Sequence, residues 1–266
     1  AIFKYAAPLI ERKIPFATIF GNHDDEGSLA RDAQMELIES LPYSLSIAGP
    51  PSLDGIGNYF VEVEAHGSKN SAVTIYLLDT HAYSPDERNF KGYDWLKKNQ
   101  IDWFKDTAKE LKRGHNGYSH IHMDLAFIHI PLPEFRDKSQ PRKGAWREQV
   151  TAPTFNSGFR DALVEEGVLV LGCGHDHANE YCALSSNEQG NPALWMCYAG
   201  GAGFGGYGGY GGYHRRIRFF EIDVNEARIT TWKRVEAGND AIGRVDEQVI
   251  VDGGKMRVLA ETIHTI

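Results

Sequence analysis

The opening stretch Ala1-Ile-Phe-Lys-Tyr-Ala-Ala-Pro-Leu-Ile-Glu11 spaces its apolar residues as a helix does. It runs into Ile14-Pro-Phe-Ala-Thr-Ile-Phe20, an apolar run of strand length that stops at Gly21, so the predicted order is helix, strand, loop. Ser28 is placed to cap a second helix reaching about Leu41, with Leu29, Ala33, Met35, Leu37 and Ile38 on its apolar face and Pro42 to stop it. Asn58–Glu64 alternates, whereas Ala72–Asp79 is continuously apolar. The Gly/Ser/Asn turn between them predicts a hairpin or neighbouring antiparallel strands. From Asn99 to Lys112, Ile101, Phe104, Ala108 and Leu111 make one stripe of a third helix, ended by Gly114.

The second half is strand-rich. Met123–Ile130, Val168–Leu171, Ala193–Tyr198, Arg216–Val224 and Ala227–Val235 read as strands, with a helix from about Ser157 to Glu166 between the first two. Helices flanking strands of mixed direction predict a layered α/β or α+β sandwich. No linker of low hydrophobicity divides the chain. Residues 1–238 therefore read as one domain, and 239–266 as a carboxyl-terminal extension contributing one strand around Gln248–Val251.

Composition narrows the function classes. A chain of 266 residues, 42% of them hydrophobic, can bury a substantial core. Its net charge of -8 repels polyanions and argues against nucleic acid as the main partner. The longest apolar stretch, Val73–Leu78, is far short of the roughly 20 residues a spanning helix needs, so no membrane span is expected. Secreted, vacuolar and cytoplasmic locations all stay open. Of the three cysteines, Cys182 and Cys197 lie on either side of the turn-rich Ser185–Pro192. A cross-strand bridge is open to them, but three buried thiols are the simpler expectation.

Three strand-to-loop junctions carry the candidate chemistry. Gly21-Asn-His-Asp-Asp-Glu26 ends the first apolar run with an amide oxygen beside an imidazole, although alone it reads first as a turn with a helix-capping acidic run. Gly172-Cys-Gly-His-Asp-His177 follows Val168–Leu171. In extended backbone residues i and i+2 share a side, so His175 and His177 can both face a metal while Asp176 points away. His120-Ile-His122 has the same spacing without a glycine turn and reads as structural. His129, in Phe127-Ile-His-Ile-Pro-Leu-Pro133, would alone be a satisfied core histidine; its company makes a metal site a serious proposition. The tract Gly200–Tyr213 contains a formal Gly-x-Gly-x-x-Gly at 201–206, but it leads into a strand, so a nucleotide fingerprint is rejected. Its aromatics, Phe204, Tyr207, Tyr210 and Tyr213, suit either a substrate mouth or a plain strand connection. Arg215 and Arg216 suit phosphate steering, while alternating Arg216 and Arg218 equally suit the solvent face of a strand.

Taken in order, Gly-Asn-His-Asp, a strand-end His and Gly-His-x-His resemble the calcineurin-like metallophosphoesterases. The texture of Asn22–Leu29, Phe127–Phe135, Gly174–Asn179 and Arg215–Asp223 is similar to the fungal and plant purple-acid-phosphatase-like branch. The resemblance implies a four-layer α/β/β/α sandwich with mixed sheets. It also implies two metal ions (Fe, Mn or Zn) and attack on a phosphomonoester by a metal-bound hydroxide, the substrate being a small molecule or a phosphoprotein. On this chain Asn22, His129 and His175 would bind one metal and His177 the other. His23 would stabilise the transferring phosphoryl group or protonate the leaving oxygen, with Asp24 behind it. Asp25 and Glu26 would be solvated.

The family's first two motifs, Asp-x-His and Gly-Asp-x-x-Asp/Tyr, do not precede Gly21, and Asp79-Thr-His81 comes out of order. The four implied ligands are all neutral, whereas a dinuclear site wants carboxylates. The expectation is therefore an amino-terminally incomplete domain lacking its first strands, whose partner is an upstream segment of the same precursor. The alternative is a truncated, non-catalytic relative that binds at most one metal and serves as an interaction domain. A serine hydrolase has no Gly-x-Ser-x-Gly to rest on.

Overall fold

The two apolar faces created by alternation along the strands decide how the layers stack. In β3 (Met123–Phe127), Met123 and Leu125 point to one side and Ala126 to the other, and the same division runs through β2 (Ser71–Leu77) and β5 (Val170–Cys173). The computed structural model describes residues 1–67, 69–203, 213–238 and 243–258. With β1 (Tyr59–Glu64), β4 (Arg142–Lys143), β6 (Cys182–Ser186) and β7 (Pro192–Tyr198), these strands form a seven-stranded sheet in the order β1-β2-β3-β5-β7-β6-β4. Strands β2, β3, β5 and β7 are parallel to one another, and β1 and β6 run antiparallel to their neighbours. A second, antiparallel sheet has the order β11-β10-β9-β8, from Arg216–Asp223 (β8), Arg228–Val235 (β9), Val245–Asp252 (β10) and Lys255–Met256 (β11).

Parallel neighbours need crossovers, and helices supply them. Helix α3 (Lys98–Gly114) joins β2 to β3, and α4 (Phe159–Glu165) joins β3 to β5. Phe104 and Ala108 of the one and Phe159, Ala162 and Leu163 of the other pack with Tyr76, Ala126 and Leu171 on one face of the large sheet. Its opposite face, with Val73, Leu125, Val170 and Trp195, packs on Ile229, Ile250 and Val251 of the small sheet. Trp195 is fully buried there, and its indole N–H donates to the Ile250 carbonyl across the sheets at 2.7 Å. The result is the mixed α/β sandwich expected. Helices α1 (Ile2–Glu11) and α2 (Arg31–Glu39) close a third apolar cluster with Phe16 and Phe20.

Four local expectations are corrected. The run Ile14–Phe20 is extended but makes only one bridge, Phe16 to Ser44. Beyond it the Thr18 N–H turns to the Ser46 and Tyr59 hydroxyls, so no ladder forms. Helix α2 begins at Arg31 rather than at a Ser28 cap, because the Gln34 side chain takes the carbonyls of Asp24 and Leu29 and shapes the loop before it. Cys182 and Cys197 are not free: they sit opposite each other in the antiparallel β6–β7 register and form a disulfide, leaving Cys173 buried and free. Arg216 and Arg218 do neither job considered for them. Arg218 is half-buried, its guanidinium donating to the Tyr198 and Glu180 carbonyls, where desolvation pushes its pKa down to about 10. Arg216 pairs with Glu180, which also meets buried Lys233 at 3.0 Å. Phe204, Tyr207 and Tyr210, with the glycines from 205 to 212, lie outside the described residues. No helix among the described residues is long and apolar enough to cross a membrane.

Candidate metal centre

Strand β3 ends at Phe127 and β5 at Cys173, but their pairing continues through the Ile128 N–H to Gly172 and the Gly174 N–H to His129. That continuation carries His129 to the edge of the loop holding His175. Space for its imidazole comes from two glycines distant in sequence. A β-carbon on Gly21 would stand 3.1 Å from the ring, and one on Gly174 would stand 3.3 Å from Nδ1. Neither glycine has a positive φ, so close approach alone demands them. His175 itself adopts φ 72, which aims its side chain back over the strand ends.

The Asn22 amide oxygen is where the junctions meet. It lies 2.9 Å from His129 Nε2 and 3.0 Å from His175 Nδ1. Asn22 is buried, and its Nδ2, like His175 Nε2, has no hydrogen-bond partner. Orphaned polar atoms of this kind mark a cluster completed by something other than protein. Burial, then the neighbouring His175, Arg31 and other cationic groups, lower the His129 pKa to about 3. Burial lowers that of His175 to about 4 against the pull of Asp176. Both rings are neutral near pH 7 and present lone pairs.

Around them opens a cavity of about 380 Å³, lined also by His23, Asp24, Tyr93, Glu148, Thr151 and His177. Tyr93 stands edge-on to His175 with centroids 4.2 Å apart. Asp24 accepts the Gly21 N–H at 2.6 Å, tying its own loop. Asp176, expected to point away, also lines the cavity, where its carboxylate takes the Thr151 N–H at 3.2 Å and the Thr151 and Tyr198 hydroxyls. His177 reaches the cavity wall, on the same side as His175. The His23 ring sits at the exposed mouth, with Nδ1 2.7 Å from Glu26 Oε1. His122 lies elsewhere, held by the Ser71 carbonyl, Thr74 and Asp124 and stacked on His115. His81 bonds Gln100 and Asp79 pairs with Arg31, both outside the cavity.

The donor set fits one metal ion: an amide oxygen and two neutral imidazoles meet within hydrogen-bond distance. Among the described residues no three His, Cys, Asp or Glu side chains converge as a metal group. Of the carboxylates lining the cavity, Asp24 and Glu148 each accept one N–H through a single oxygen, and Asp176 accepts from Thr151 and Tyr198.

The model of one family, calcineurin-like phosphoesterase, matches residues 1–179. The chain belongs to that family. The chain is 40% identical to phosphatase DCR2 of Saccharomyces cerevisiae over 95% of its own length and 44% of the relative's. It is 36% and 37% identical to the proteins named probable inactive purple acid phosphatases 14 and 29 of Arabidopsis thaliana, over 92% of the chain in each case and 65% and 66% of those proteins. These likenesses put it in the purple-acid-phosphatase-like branch. The chain spans from under half to about two thirds of the length of these relatives.

Several residues of the site carry no signal of their own in the sequence. Arg31 is the chief of them, its guanidinium donating to the Gly21 carbonyl at 2.9 Å and to Asp25 at 2.8 Å. Asp25 and Glu26 are solvent-exposed as expected, with side chains 46% and 56% exposed, while pairing with Arg31 and His23. Tyr93, Glu148 and Thr151 come from loops whose composition is ordinary.

Proposed function

We propose that this chain forms the phosphoryl-handling half of a metal-dependent phosphomonoesterase. The observation that carries the reading is the meeting of Asn22, His129 and His175 at one amide oxygen beneath the cavity that His23 and His177 line. Asn22, His129 and His175 would hold one metal ion, and His177 would belong to a second. Bound cations would supply Lewis-acid charge and an activated water. The described residues lining the cavity include no Lys or Arg, and bound cations would supply positive charge for a phosphate dianion there. His23 would meet the phosphoryl or leaving oxygen as donor, and Asp24 would keep the Gly21–Asp24 loop in shape. The carboxylates a two-metal site needs would come from polypeptide outside this chain, in keeping with the greater length of its relatives. The substrate is a phosphomonoester, on a small molecule or a phosphoprotein, and the metals are Fe, Mn or Zn.

Two substitutions test this. His23→Ala in the protein with its native flanking polypeptide should lower turnover of an aryl phosphate by about a hundredfold or more while metal content stays near that of the wild type. Loss of metal with His23→Ala would instead make His23 a ligand. A second reading is favoured by the names of the Arabidopsis relatives: a non-catalytic domain with at most one metal. No turnover in the flanked protein, with one metal bound, would establish it.

A further inference from the structure

The acidic run after His23 is not idle solvent-facing charge. Glu26 follows His23 by one short 3-10 turn, Asp24–Glu26, which brings its carboxylate back over the loop. Its Oε1 lies 2.7 Å from His23 Nδ1 and accepts the Tyr83 hydroxyl at 3.2 Å. Tyr83 comes from a different part of the chain, beyond β2. Its ring meets the His23 ring edge-on at 6.5 Å and stacks on Tyr93, which in turn stands against His175. An imidazole at an exposed mouth would otherwise sample rotamers and exchange tautomers freely. Here one ring nitrogen is fixed by a carboxylate and one ring edge by an aromatic pair anchored at the metal cluster.

We propose that Glu26 is the positioning residue of His23. It accepts the Nδ1 proton, holds the Nδ1–H tautomer and leaves Nε2 as the nitrogen turned to the reacting phosphoester, while Tyr83 fixes the Glu26 carboxylate. The choice of nitrogen follows from chemistry: an ionised carboxylate is acceptor-only, so the proton between the two must sit on the ring. Tyr83 fills the same oxygen's second lone pair and limits rotation of the Glu26 side chain. The pairing is local to this turn and needs no group outside the chain. The catalytic consequence rests on the phosphoesterase reading, but the tautomer does not.

Nitrogen-15 imidazole spectra at a pH above about 8, where an ordinary imidazole is neutral, read the tautomer directly. His23 is assigned by the signals lost in His23→Ala. The wild-type chain should show His23 protonated at Nδ1, Glu26→Ala should shift it to a mixture or to Nε2–H, and Glu26→Gln, whose amide oxygen still accepts, should restore the wild-type pattern. The same His23 tautomer in wild type and Glu26→Ala overturns the proposal. In the flanked protein, Glu26→Ala should lower kcat about tenfold or more with little change in KM. Adding it to His23→Ala should cost nothing further. Equal losses from Glu26→Ala in both backgrounds would show that Glu26 acts apart from His23. A correct tautomer in a protein without turnover would remove the phosphoesterase reading and leave the pairing standing.

Discussion

Arg31 and Asp79 form a buried ion pair directly behind the Gly21–Asp24 loop. Their side chains are 9% and 1% exposed, and Arg31 spends its other donors on Asp25, the Gly21 carbonyl and the His81 carbonyl. Asp79 in turn accepts the N–H groups of Ile56 and His81, each at 2.9 Å. The pair therefore joins the start of α2, the end of β2 and the metal loop in one electrostatic knot.

Removing one partner strands the other charge in low dielectric. Arg31→Ala should destabilise the chain by about 3–5 kcal/mol. Pairing it with Asp79→Ala should cost less than the sum of the two single changes. Urea unfolding of the four variants checks both statements, and a cost below about 1 kcal/mol for Arg31→Ala would show that the knot contributes nothing to stability.

His122 gives the fold a pH dependence. Burial opposes its charge, but the Asp124 hydrogen bond, the Ser71 carbonyl and the charges of Asp124 and Glu62 outweigh it and raise the pKa. A raised folded-state value means that the stabilisation is complete below the ordinary value of about 6.5 and is lost as pH rises through the folded value. His122→Gln should flatten the stability profile across that window. An unchanged urea midpoint slope in the variant contradicts the assignment.

The disulfide closes a short loop, its cysteines standing at a sequence separation of 15. Constraining the unfolded chain over that length is worth about 3 kcal/mol. Cys182→Ala with Cys197→Ala should lower stability by about that amount, and reduction of the wild type under denaturing conditions should do the same. An unchanged midpoint in the double variant would mean that the bond is not formed in solution.

Metal content separates one half-site from two. The chain alone should bind at most one tightly held divalent ion, because four neutral donors cannot offset the charge of a pair. Asn22→Ala or His129→Ala should remove it. Elemental analysis finding two metals per chain would refute the half-site.

What could be read from the residues and what could not divides along a physical line. Gly21-Asn-His and Gly174-His-x-His announce themselves because their chemistry is local, a strand end followed by a turn. Helix α3 and strands β8 and β9 were legible for the same reason, their periodicity lying within single segments. The extended spacing invoked for His175 and His177 does not hold, since His175 is left-handed and Asp176 lines the cavity beside them. Strand β6 was legible only as an apolar run at Cys182 that left a cross-strand bridge open, and its pairing with β7 is what closes the disulfide. The ion pair of Arg31 with Asp79, 48 residues away, and the Tyr83 contact with Glu26, 57 residues away, exist only once the chain is folded. The supposed strand at Ile14–Phe20 failed for the converse reason: periodicity cannot say whether a neighbour is present to pair with it.

The two glycines against His129 set a rule for sequence drift. Neither is required by its own backbone, so each is free to vary once the imidazole between them is gone. With His129 in place, a side chain at either position would force the ring to shift by a few tenths of an ångström. Residues 21, 129 and 174, spread over more than 150 positions of sequence, therefore answer to one another in the folded chain.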